Sequence, residues 1–159
     1  MPTITLLTRI QADKSIVFNL SRSIELHLIS SKKNKEKVVG GRKSGLIELG
    51  ETVTWRAKHL GVYQNFTSKI IGCETDKYFA DEMTSGAFES FKHEHYFFEK
   101  NDCTFQIDVL EFKSPFGVLG KLVDFLFLKT YMANFLKKRN ETIKEYAESE
   151  KWKEIVLIA

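Results

Sequence analysis

The stretch Phe91–Phe98, FKHEHYFF, decides how this chain folds. Charged Lys92 and Glu94 take alternate positions, so Phe91, His93, His95 and Phe97 share the opposite face. A period of two with charge on one side marks a strand that is wet on one face and buried on the other. The same alternation runs from Leu46 to Phe112, with breaks at Gly50, Gly61, Gly72 to Asp76, Gly86 and Asn101-Asp102, which predicts a meander of five or six antiparallel strands.

Outside this region the period changes. Ser114-Pro115 closes the meander, and Phe116 to Ala147 spaces Leu119, Leu122, Val123, Leu126, Tyr131, Phe135 and Ile143 at helical intervals. Upstream, Thr3 to Ile10 reads as a β-branched strand. Ala12 to Asn19 reads as a helix capped by Asp13 and carrying Ile16, Val17 and Leu20. Ser23 to Ser31 reads as a second short helix with Ile24, Leu28 and Ile29 on one side, and a basic loop follows. Trp152 to Ala159 is an apolar tail.

The predicted class is α+β. A curved antiparallel sheet of six to seven strands wraps around a long C-terminal helix, with two short helices after the first strand. One sheet face and one helix stripe must cover each other, and where the curl is deep they leave a cavity. A chain of 159 residues fits a single domain, 1–159, rather than two cores.

Composition narrows the function. The net charge of +3 is too mild for nucleic-acid binding. Residues 32–43 concentrate six basic residues and one acid, yet no aromatics interleave with them as single-strand binding requires. They read as a solvated loop, or as a cationic rim at a ligand entrance. Cys73 and Cys103 have no metal spacing and suggest a reducing compartment; with no signal-peptide pattern and no spanning segment, the expected location is the cytoplasm without integral membrane association. The tail reads either as a terminus tucked into the fold or, from Glu154 to Ala159, as a contact for a partner, in the simplest case a second copy in a homodimer.

Of the 20 aromatics, 17 lie between Trp55 and Phe135, within the sheet and the helix that faces it. Taking Lys, Arg and Glu as markers of the outer face puts Trp55, Ala57 and His59 inside on one strand and Phe66, Ser68 and Ile70 on the next. By the same rule Phe79 and Asp81, then Phe91, His93, His95 and Phe97, then Gln106, Asp108, Leu110 and Phe112 face inward. The interior is therefore aromatic with His59, His93, His95, Asp108 and Asp81 set into it. Apolar walls with a few convergent polar groups describe a small-molecule pocket.

Alternate strand residues also present both imidazoles of His93-Glu94-His95 to one side, where His59 or Asp108 could complete a metal site. With Glu99 the run is HxHxxxE, which resembles part of the first cupin motif. The glycine is displaced, the second motif is missing, and a long terminal helix does not suit a β-sandwich, so no metal and no cofactor are expected. Histidines that hydrogen-bond a ligand or Asp108 are the preferred reading.

Several runs carry a resemblance to a known family. These are Gly50-Glu51-Thr52-Val53-Thr54-Trp55, His59-Leu60-Gly61, Phe79-Ala80-Asp81-Glu82-Met83, Gly86-Ala87-Phe88, His93-Glu94-His95, Asp108 and Ser114-Pro115-Phe116-Gly117. Together with the element order they resemble the SRPBCC or START-like superfamily, and within it a bacterial polyketide-cyclase-like subgroup. That subgroup tends to carry Gly-Pro-Phe where this chain has Gly86-Ala87-Phe88. The resemblance implies a helix-grip fold and a cavity for lipids, polyketides, hormones or other apolar molecules, and members range from carriers to cyclases and hydrolases. Fold alone does not choose between them.

Two readings follow. In the first the chain binds a small hydrophobic ligand through Trp55, His59, Phe66, Phe79, Asp81, Phe91, His93, His95, Phe97, Asp108 and Phe112. In the second it is a cyclase, dehydratase or hydrolase in which His59, His93, His95 and Asp108 are the candidates for moving protons. No nucleophile elbow, P-loop or dinucleotide fingerprint accompanies them.

Overall fold

The structure, a computed structural model, describes residues 1–115, 117, 122 and 127–156. Strand β1 (Thr3–Ile10) leads into helices α1 (Lys14–Arg22) and α2 (Ile24–Ser30). A single 3-10 turn at Lys32–Asn34 precedes β2 (Lys37–Gly41). The meander is β3 (Thr52–His59), β4 (Val62–Glu74), β5 (Tyr78–Ser85), β6 (Ser90–Lys100) and β7 (Cys103–Lys113). Helix α3 (Lys129–Ala147) and the short α4 (Trp152–Val156) end it.

All seven strands join one antiparallel sheet in the order β1-β7-β6-β5-β4-β3-β2. The two edges, β1 and β2, are linked through α1 and α2, which cross the concave side together with α3. Register shifts in the β4–β5 pairing leave one extra residue in each strand, Thr84 in β5 between the Thr67 and Ser68 pairs and Ile71 in β4 between the Ile70 and Gly72 pairs. Such bulges bend and twist a strand, which is what a sheet needs to wrap a helix.

Local chemistry explains the corner between α1 and α2. Ser23 has extended backbone angles and its Oγ accepts from the Leu26 N–H at 3.1 Å, so one residue ends α1 and caps α2. Asp13 stands at the N-cap of α1, but its side chain makes no capping bond; the Val17 N–H is met by the Asp13 carbonyl at 3.1 Å.

Two expectations change. The basic segment is not a plain loop, since residues 37–41 pair with β3 as an edge strand. Its two glycines and flanking charge hid the Val38-Val39 strand signal, while lysine suits an edge that must not pair further. Gly41 has φ +72°, and a Cβ there would meet the Thr52 carbonyl oxygen at 2.1 Å, so the end of β2 requires glycine. On α2, Ile24 and Leu26 are buried whereas Ile29 is 39 % exposed, because the face carrying Ile24 and His27 is the one that meets the interior. Of the two readings of the apolar tail, its described part follows the tucked-in one: Ile155 is buried in the core cluster around α1, with Trp152 and Val156 packed against that cluster. Residues 157–159 lie outside the described residues, as do Leu119, Val123 and Leu126 of the expected helix.

The core forms two apolar clusters. One gathers Val17, Phe18 and Leu20 of α1 with Phe79, Phe97 and Ile143; the other gathers Ile4, Phe91, Leu110, Phe112, Met132 and Leu136. A polar belt separates them. Along β6 the order is Phe91, His93, His95, Phe97, and along α3 it is Leu136, Arg139, Asn140, Ile143, so the apolar, polar and apolar zones of strand and helix face one another. Among the described residues no helix is long and apolar enough to cross a membrane.

Candidate functional site

The concave face and the helices enclose a cavity of about 200 Å³. Strand alternation delivers its sheet side. Trp55 and His59 come from β3, Phe66 from β4, Phe79 and Asp81 from β5, and Phe91, His93 and His95 from β6. Ile24 and His27 of α2 and Tyr131, Met132 and Arg139 of α3 form much of the opposite wall.

Three residues expected in the lining are elsewhere. Phe97 is buried against α1, its ring edge-on to Phe18 with centroids 5.5 Å apart. Phe112 is fully buried in the second cluster, edge-on to Phe88 at 5.7 Å. Asp108 has no solvent exposure and sits beneath the histidines rather than beside the cavity. All three do face inward. Alternation reports the side of the sheet, whereas the packing of α1 and α3 decides which inward residues they cover.

Asp108 is the hub of the polar belt. Its Oδ1 accepts from His95 Nδ1 at 2.6 Å, and its Oδ2 accepts from Asn140 Nδ2 at 2.6 Å and Gln106 Nε2 at 2.9 Å. Burial on its own would raise the carboxyl pKa, but the His93 and His95 imidazoles outweigh it and hold the group well below the usual carboxylate range. An ionised Asp108 only accepts, so the ring proton of His95 lies on Nδ1, and in the neutral imidazole Nε2 carries a lone pair. That Nε2 lies 3.6 Å from Asp81 Oδ1. Burial likewise opposes ionisation of Asp81, and His95 and His93 reverse the direction to a lowered pKa.

His93 Nε2 approaches Asp108 Oδ1 at 3.2 Å but is too far off line to bond, leaving the atom without a hydrogen-bond partner. Burial and the adjacent His95 push its pKa down to about 4, so the ring is neutral at pH 7. Arg139 completes the group: Nη2 donates to the Ser21 carbonyl at 2.6 Å, while Nη1 is unbonded and 3.9 Å from Asp108 Oδ1. Ring nitrogens of His93 and His95 and a carboxylate oxygen of Asp81 all lie within 4.8 Å of one another. His59 is not with them.

His59 belongs to a second polar cluster. Its Nδ1 is 2.8 Å from Tyr131 Oη and 3.1 Å from Asn34 Nδ2, which ties β3 to α3 and to the 3-10 turn. Nearby, His27 Nε2 meets Glu36 Oε2 at 3.1 Å, and the His27 ring stacks on Trp55 with centroids 4.1 Å apart. Burial alone would raise the Glu36 pKa, and His27 turns the net shift downward. Of the basic run 32–43, Glu36 alone lines the cavity.

Sequence reading missed His27, Glu36, Tyr131 and Arg139. For Arg139 a signal exists, since Leu136, Arg139, Asn140 and Ile143 fall on one helical stripe and two polar residues there are anomalous. For Glu36 none does, because a lone acid in a basic run reads as surface.

Chemically, the site offers apolar walls, the His95 imidazole anchored through Nδ1 by a buried carboxylate, the His93 imidazole kept neutral by burial, and a guanidinium. It can desolvate a ring, hydrogen-bond an oxygen, or exchange a proton with one.

Comparison with solved structures defines the class. A Thermus thermophilus protein superposes with TM-score 0.69 at 17 % identity, covering 89 % of this chain and 97 % of that one. A ginseng (Panax ginseng) major latex-like protein gives 0.66 at 13 % identity, covering 93 % and 98 %. A START superfamily protein from Mycobacterium smegmatis gives 0.69 at 11 % identity, covering 92 % and 97 %. The chain has the helix-grip fold of the SRPBCC/START-like proteins. No family model matches the sequence, and no curated protein does. At such identities the shared property is the fold.

Proposed function

We propose that the chain, as one domain, binds a small hydrophobic ligand of lipid, polyketide or aromatic type in the cavity between sheet and C-terminal helix. The observation that carries this reading is the cavity of about 200 Å³ lined by Trp55, Phe66, Phe79 and Phe91 with His93, His95 and Arg139 at its polar end. An apolar cavity of roughly 150 Å³ accepts a benzene-sized molecule, so this one suits one or two rings. The aromatic walls desolvate the rings, and the polar end reads a hydroxyl or carbonyl oxygen. At roughly 25 cal/mol per Å² of buried apolar surface, less ordering costs, micromolar affinity follows. Free Cys73 and Cys103 support a reducing location, and we assign the protein to the cytoplasm.

Native mass spectrometry of freshly purified protein, then titration with anilinonaphthalene sulfonate, tests the reading. A retained small molecule or saturable one-to-one probe binding is expected. Neither adduct nor saturable binding would refute it.

A second reading, a cyclase, dehydratase or hydrolase, is favoured by one observation: the 2.6 Å contact of Asp108 with His95 leaves Nε2 of an oriented imidazole on the cavity side. It requires turnover lost in His95→Gln. A ligand recovered chemically unchanged after long incubation counts against it.

A further inference from the structure

His95 Nε2 and Asp81 Oδ1 face each other across 3.6 Å on adjacent strands. Beside them is His93, a neutral imidazole that is 6 % exposed and carries a ring nitrogen with no hydrogen-bond partner. Lone-pair nitrogens and a carboxylate oxygen gathered in this way can share one cation. We propose that Asp81, His93 and His95 bind a divalent transition-metal ion of the zinc class at the polar end of the cavity.

Register builds the set. Asp81 pairs directly with His93 across β5 and β6, and His95 follows two residues along on the same face, so two rigid adjacent strands present all three groups. Their ligand atoms lie within 4.8 Å of one another, and small rotamer changes bring such atoms to bonding distance of about 2.0–2.2 Å from one ion. Asp108 supplies the outer support: by accepting from His95 Nδ1 at 2.6 Å it fixes the tautomer that leaves Nε2 as a ligand. Gln106 and Asn140 hold that carboxylate in turn.

Charge and donor type select the ion. The carboxylates of Asp81 and Asp108 carry two negative charges and Arg139 one positive charge, a net single negative charge at this end of the cavity. A divalent ion is therefore better matched than a trivalent one. Two imidazoles with one carboxylate suit zinc, cobalt or ferrous iron, whereas calcium and magnesium prefer all-oxygen shells. Three protein ligands leave a position open toward the cavity, where an oxygen of water or of a bound ligand fits.

The proposal does not depend on the ligand reading, because metal uptake is measured on the protein alone. Tag-free protein is stripped with EDTA, dialysed, and titrated with CoCl2 by visible absorption and with ZnCl2 by calorimetry. One ion per chain is expected, with visible cobalt bands. Asp81→Asn and His93→Gln should each weaken binding beyond the roughly 10–100-fold that loss of an outer partner costs. Circular dichroism confirms that the variants fold, and if His93→Gln does not, Asp81→Asn carries the comparison. Absence of saturable uptake, uptake unchanged in a folded variant, or cobalt–thiolate bands from Cys73 or Cys103 would overturn the assignment.

Discussion

His95 Nδ1 donates to Asp108 Oδ1 at 2.6 Å, and neither residue exposes more than 1 % of its side chain. This bond links the cavity-facing surface to the polar belt that runs between two apolar clusters. The cavity chemistry and the stability of the fold therefore share a residue, and Asp108 should reveal both.

Asp108→Ala removes the acceptor of His95, Gln106 and Asn140 and leaves Arg139 without its nearest described carboxylate, at 3.9 Å. Breaking a buried network from one side costs about 3–5 kcal/mol. Urea denaturation should show that loss. A cost below about 1 kcal/mol would mean that the belt is not a coupled unit.

Acid should weaken the metal-free protein through His93. Its folded pKa of about 4 lies below the unfolded value near 6.5, so the unfolded chain binds the extra proton. Stability is thus complete above pH 6.5 and falls as the pH drops from 6.5 towards 4, by on the order of 3 kcal/mol. Lowered His59 adds a contribution of the same sign. Melting temperature followed from pH 7 to pH 4 in EDTA should fall for the wild type and fall less for His93→Gln; parallel curves would rule this origin out.

Filling the cavity should separate binding from folding. Ala57 is buried on β3, between Trp55 and His59, and borders the open volume. Ala57→Leu places three further carbons there and should reduce affinity for anilinonaphthalene sulfonate at least tenfold, with a stability change no greater than the roughly 1–3 kcal/mol that added methylenes cost in a packed core. Unchanged probe affinity would locate the binding site elsewhere.

The terminal helix makes a simpler case. Ile155 is buried in the cluster around α1, so Ile155→Ala should cost about 2–4 kcal/mol. Chemical denaturation gives the value, and size-exclusion chromatography should show no change in assembly. A change in assembly at full stability would restore the tail as a partner contact.

Much of the fold was legible because period-two alternation is a local property. Lys92 and Glu94 alone assign the faces of β6, and the inward set from Phe91 to Phe97 is buried in the structure. The edge strand β2 was not legible, because charge and glycine around Val38-Val39 outweigh its short signal. Asp81, His93 and His95 were separately visible as inward residues, yet their meeting depends on the β5–β6 register, which no single strand encodes.

The sequence by itself determined the order of the elements other than β2, the faces of β3 to β7 and the concentration of aromatics and histidines on the concave side, since each follows from spacing along the chain. Only the tertiary structure decided depth. Asp108 lies under His95 instead of in the wall, Phe97 and Phe112 are covered by packing, and His27, Glu36 and Arg139 arrive from other elements. The reason is geometric: alternation fixes the direction of a side chain from its strand, but a cavity is the space left where curved sheet and helices fail to meet, and that is set by long-range packing.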